Sequence, residues 1–234
     1  MFAPIILHRG ARAIIFAGME KFTLYHSMLV LHIVAGTLAL LGGIFILIRK
    51  KGDVWHRWSG RLFYYAMVIV CISAVLMAFK KSNVFLLLIG IFSFYQNYAG
   101  RRAIVNRSLQ PSVGDWLVWG LALVNGVVMV VSLNFLLLVF GLISLSASFN
   151  HGRLLFRKQR GGTLPANAWL GLHIGMMMGA FIATTTAFIV ANLPDSAINW
   201  APSWVFWLSP TFIMVPLIVV WTNRYAPLTK TRKA

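Results

Sequence analysis

The sequence predicts an all-α integral membrane bundle of seven transmembrane helices, with the N-terminus outside and the C-terminus cytoplasmic. Three observations lead to this. Apolar runs recur along the chain, and about 20 such residues suffice to cross a ~30 Å hydrocarbon core as a helix. Hydrophobic residues make up 59% of the chain, too many for an ordinary soluble domain. The Lys and Arg residues fall between the apolar runs and are sorted to one side. Lipid supplies no hydrogen-bond partners, so the spans must be helices or strands of a closed barrel. Runs such as LVLHIVAGTLALLGGIFILI do not alternate as barrel strands do.

The spans are placed at Leu24–Ile48, Gly60–Phe79, Val84–Gly100, Asp115–Ser132, Phe135–Asn150, Ala168–Ala191 and Pro202–Thr222. Before the first lies an N-terminal extension, residues 1–22. Its Ile5-Ile6-Leu7 core is too short for a secretory signal. It reads as an interfacial helix with Arg9 and Arg12 on its wet face, or else Met19 is the true start. The second span follows the basic stretch RKKGDVWHR, and Arg101 and Arg102 close the third. The fifth can extend as a helix through Phe156 into the interface. Pro210 and Pro216 should kink the seventh. Residues 23–222 form one membrane domain and 223–234 a basic tail.

Sixteen of the 21 Lys and Arg residues fall on the side of the 49–59, 101–114 and 151–167 loops and the tail. Positive loops stay in the cytoplasm, which sets the orientation. Trp55, Trp58, Trp116, Trp119, Trp169, Trp200, Trp204 and Trp221 lie near span ends, where aromatic belts belong. The net charge of +17 therefore orients helices and meets anionic lipid headgroups. No basic stretch carries a nucleic-acid reading motif, so nucleic acid is not an expected partner; a protein partner or a second copy of the chain is left open. Cys71 is the only cysteine, which rules out an intrachain disulfide.

Small residues mark helix packing. Gly171, Gly175, Gly179 and Ala183 recur every four residues, and Gly36 and Gly43 lie on one face of the first span. At about 1.5 Å rise per residue, His32 lies on the order of 12 Å below the outer boundary. By the same rise, Ser73, Asn125, Ser144 and Thr184, Thr185 and Thr186 fall roughly 8–15 Å below it. Polar groups at that depth face the bundle interior or a watery cavity. They serve as interhelical fasteners or line an outward-facing pocket around His32 that would suit a small-molecule carrier.

His56, His151 and His173 gather near the opposite face. Three imidazoles from three helices are candidates for Zn or Fe, and two for the axial ligands of a single haem. Each is alternatively a structural histidine bonded to backbone or headgroups. The outer half offers only His26 and His32, six residues apart on one helix, which cannot flank one haem plane, while a His–Met outer site stays open because Met28, Met77 and Met129 lie near that face. No nucleophile elbow, dinucleotide fingerprint or phosphate loop is present. The four carboxylates, Glu20, Asp53, Asp115 and Asp195, all lie near boundaries or loops. No catalytic set is thus legible, and the reading leans away from an enzyme.

The segment LHIVAGTLALLGGIFILIRKKGDVWHRWSGRLFYYAM, with His32, Gly36, His56, Arg57, Gly60 and Arg61, and the later FLLLIGIFSFYQNYAGRRA carry a resemblance. They resemble a bacterial family of multi-span membrane proteins of unknown function, marked by a His-Arg-x-x-Gly-Arg turn, in its Bacteroidetes-like form. The resemblance covers about a third of the chain. It implies a bacterial inner-membrane location and no particular reaction. Physically, Arg57 and Arg61 stand i,i+4 and can reach lipid phosphate or an anion. Gly60 would admit another backbone, and Asp53 would orient the His56 ring. The expected function is a non-catalytic membrane factor that binds or assembles a partner. The alternatives are a haem or metal redox protein and a small-molecule carrier.

Overall fold

In the computed structural model the described residues form seven α-helices and no strand. Residues 9–194, 196 and 199–227 are described, with side chains from Leu24 onward. The helices are α1 (Arg9–Ile48), α2 (Val54–Lys80), α3 (Val84–Val105), α4 (Val113–Val131), α5 (Phe135–Gln159), α6 (Ala168–Ala191) and α7 (Ser203–Tyr225). Six of them, all but α3, contain a stretch long and apolar enough to cross a membrane. Helix α1 is continuous through residues 9–22 into its apolar part. Residues 1–8 and 228–234 lie outside the described residues.

Short polar residues start the helices where hydropathy alone does not. Asp53 caps α2, its carboxylate accepting the backbone N–H of His56 at 2.6 Å. Helix α2 therefore begins six residues ahead of the apolar run proposed from Gly60. Asn83 caps α3 and Asn134 caps α5 in the same manner. Ser112 and Asp115 form a reciprocal capping box on α4.

Helix α3 lies at the centre, packed on α2, α4 and α6. Its buried face carries Gln96 and Asn97 beside Phe92, Tyr95 and Ala99. Those amides lower its hydropathy, and protein rather than lipid covers them. Other contacts join α1 to α2, α4 to α5, α6 to α7 and, less extensively, α1 to α6. Around α1, α2 and α6 the core is Ala39, Phe63, Met67, Cys71, Ala180 and Phe181. A second core joins Leu88 and Phe92 of α3 to Met129, Phe140 and Leu208. Helix α7 is the most peripheral, with only Leu208 and Pro210 buried, and both of its prolines lie inside the helix.

The glycines divide into tight and open positions. A Cβ on Gly43 would run into the Phe181 ring, and one on Gly179 would meet the Gln96 amide at 2.9 Å. A Cβ on Gly100 would meet the Met177 side chain at 2.6 Å and its backbone nitrogen at 3.0 Å. Gly36 and Gly171 have only ordinary contacts, and Gly175 has nothing within 4 Å. Of the three glycines in the four-residue stripe on α6, only Gly179 thus makes a close approach, against Gln96 of α3. Sequence spacing identified the face and could not show which residues meet a neighbour.

Candidate functional site

A cavity of about 390 Å³ opens at the end of the bundle where α1 and α7 finish and α2 and α6 begin. That volume lies at the small end of the ~300–1,000 Å³ usual for ligand sites. Its walls come from non-consecutive helices, so packing rather than any local motif creates it. Ile46, Leu47, Phe63, Met177, Met178 and Phe181 give an apolar interior. Lys51, Arg57 and Arg107 bring cationic side chains to it, and Trp169, Trp221 and Tyr225 contribute aromatic rings. Arg57, Arg107 and Tyr225 are exposed, so the cavity communicates with the surface. Among the described residues no Asp or Glu lines it.

The rim is held by local bonds. Lys51 Nζ donates to the carbonyls of Ile46 and Leu47, both at 2.8 Å, satisfying the C-terminal end of α1. The same ammonium sits 4.3 Å from the centroid of the Trp221 ring. Burial lowers its pKa below the ordinary lysine value. The positive φ of Gly52, 83°, turns the chain between Lys51 and the Asp53 cap. Arg57 Nη1 donates to the Gly52 carbonyl at 3.1 Å, and Arg107 stacks on Trp169 at 4.6 Å. Asp53 is held below the usual carboxylate range, chiefly by the His56 backbone N–H and then by Arg49.

Two of the three proposed imidazoles meet here. His56 and His173 both line the cavity. His173 Nδ1 lies 2.9 Å from the Gly100 carbonyl, and His56 Nδ1 is buried without a protein partner. His151 is elsewhere, at the contact of α3 and α5, where its Nδ1 lies 3.2 Å from the Tyr95 hydroxyl and the rings stack at 6.0 Å. Among the described residues no three His, Cys, Asp or Glu side chains converge as a metal group requires. The three-histidine set is therefore not assembled, because Tyr95 on the central helix engages His151. Two further expectations change. Asp53 takes the backbone of His56 and not its ring, and the space beside Gly60 is cavity rather than another backbone. Arg57 lines the site whereas Arg61 does not.

The outer polar residues are spread over several helix pairs. His32 Nδ1 lies 2.9 Å from Ser73 Oγ, joining α1 to α2. Asn125 Nδ2 donates to the Leu88 carbonyl at 3.1 Å, joining α4 to α3. Thr184 Oγ1 lies 3.0 Å from Met67 Sδ, and Thr186 donates to the Trp207 carbonyl at 3.4 Å. Thr185 bonds back to Phe181 within α6, and Ser144 is fully buried with no protein partner for its Oγ. The structure thus uses most of these groups as fasteners.

Sequence reasoning missed Lys51, Arg107, Phe63, Met177 and Phe181 as site residues. From sequence, Trp169 and Trp221 read only as belt residues. Their one signal was proximity of a basic and an aromatic residue at span ends, which does not say which ends adjoin. Comparison of the chain with protein-family models, curated proteins and solved structures gave no match.

Proposed function

We propose that this protein crosses a bacterial inner membrane seven times, N-terminus outside, and acts as a non-catalytic binding factor through its cavity at the basic end. The observation that carries this reading is the cavity itself. Five helices leave an unfilled apolar space whose rim is cationic and aromatic, next to His56 and His173. Among the described residues, no Ser, Thr, Cys, Asp or Glu side chain lines it, so neither a carboxylate pair nor a Ser–His–Asp set accompanies it. Helix α3 counts as the seventh span because its 22 residues reach about 33 Å at helical rise. Its polar side is covered by protein, so it needs less hydrophobicity than a helix facing lipid.

The span count and orientation are tested with single cysteines on a Cys71→Ala background. Ser82→Cys and Arg160→Cys lie three helices apart. The expected result is labelling of the first by an impermeant maleimide in intact cells and protection of the second. Labelling of both would mean that an even number of spans separates them, and the reverse pattern would invert the orientation.

The binding reading is tested by native mass spectrometry and absorption spectroscopy of the protein purified in nanodiscs. A bound small molecule is expected, lost in Gly60→Trp, whose indole would occupy the cavity. A haem absorption band lost in His56→Ala/His173→Ala would favour the redox alternative instead. An empty protein that no added amphiphile stabilises would overturn both.

A further inference from the structure

We infer that the cavity takes an anionic amphiphile with a single chain, its phosphate or carboxylate head between Arg57 and Arg107 and its chain along Phe63 and Phe181. The inference rests on the binding reading above and deepens it by naming the ligand class.

Charge complementarity selects the head. Among the described residues, the lining holds three Lys and Arg side chains and no carboxylate. The nearest acidic group in sequence, Asp53, is already engaged with Arg49 at 3.1 Å and with the His56 backbone. Lys51 is turned towards the end of α1 and the Trp221 ring, so it is partly committed. Arg57 and Arg107 are exposed, and each guanidinium has five N–H donors. One carbonyl bond and one ring contact leave both able to grip a planar carboxylate or a phosphate. A neutral or cationic head would leave this concentration of like charge uncompensated.

The interior selects the tail. Beyond the rim the walls are aliphatic, aromatic and thioether side chains, and Gly60 leaves the wall open. Methionines adapt to an irregular flexible chain. The volume of about 390 Å³ suits one slender chain rather than two. His56 also lines the cavity, and its Nδ1 is buried with no hydrogen-bond partner among the described residues. Trp169 and Trp221 put the rim at headgroup depth, so such a molecule can enter from the adjoining leaflet.

The test uses the full chain in phosphatidylcholine nanodiscs, with oleoyl lysophosphatidate, monooleoylglycerol and inorganic phosphate as probes. Binding is read by thermal shift and by native mass spectrometry. Saturable binding of lysophosphatidate is expected, at least about tenfold tighter than that of either other probe. Arg57→Gln/Arg107→Gln should lose about tenfold of that affinity, and Gly60→Trp should abolish it while the protein stays folded. Equal binding of inorganic phosphate would make this a head-only anion site and overturn the inference. Binding abolished by Gly60→Trp but unchanged in the arginine variant would sink the anionic class and leave the cavity's binding role standing. Binding indifferent to both variants would remove both readings.

Discussion

The carboxylate of Asp115 accepts both Nε and Nη2 of Arg102, at 2.8 and 2.9 Å, locking the end of α3 to the start of α4. Tyr98 Oη and the backbone N–H and hydroxyl of Ser112 also donate to it. Asp115 is 2% exposed, so the charge is removed from water and compensated by this network. Removing one partner of such a pair costs about 3–5 kcal/mol. Arg102 retains 28% exposure, which places Arg102→Ala near the lower end. The apolar pair Arg102→Met/Asp115→Leu should recover most of that loss. Reversible unfolding in mixed micelles measures both, and equal stability of the single variant and wild type would show the pair to be ornamental.

Two glycines on facing helices predict opposite outcomes. Gly100→Ala pushes a methyl group into the Met177 backbone and should destabilise by about 1–3 kcal/mol, the usual cost of overpacking. Gly175→Ala meets open space and should gain up to about 1 kcal/mol from helix propensity. The comparison needs only the two melting temperatures. A loss at Gly175 as large as at Gly100 would contradict the packing described for α6.

The contact between His32 and Ser73 is expected to fasten α1 to α2. Hydrogen bonds between membrane helices average about 0.6 kcal/mol in double-mutant cycles. A cycle of His32→Ala and Ser73→Ala should return a coupling of that order, without effect on ligand binding at the basic end. A carrier pocket around His32 would instead reveal itself through lost transport or ligand stabilisation in His32→Ala.

Acid should weaken the α1–α2 turn. The folded-state pKa of Asp53 is depressed, so its contribution is present above the unfolded carboxylate value and disappears as pH falls through the folded one. Wild-type stability should therefore decline from about pH 4 downward. Asp53→Asn keeps a capping side chain but cannot titrate, so the wild-type advantage over it should shrink with acid. A constant difference across that range would exclude Asp53 as the titrating group.

Much of the helical framework was legible because burial in lipid demands long apolar runs. The starts of α3, α5 and α6 coincide with the hydropathic boundaries at Val84, Phe135 and Ala168. Helix α2 starts earlier because the Asp53 cap lies beyond a charged turn, and α3 continues to Val105 because Arg102 finds Asp115. The site was only half legible. His56 and His173 share a cavity as their common side allowed, yet His151 belongs to Tyr95. Periodicity along one helix does not encode which other helix it will meet. The approach of α6 to both α1 and α3 is such a long-range fact, and it builds the wall containing Met177 and Phe181.

The place of α3 has a consequence for biogenesis. A ribosome delivers this helix well before α6, the neighbour that packs most extensively on it. Until α6 arrives, Gln96 lacks its neighbour Gly179, whereas Asn97 already has the Tyr64 carbonyl of α2. If α3 is the seventh span proposed above, its stable insertion is coupled to synthesis of α6, and a nascent chain halted between them would hold α3 only loosely in the bilayer.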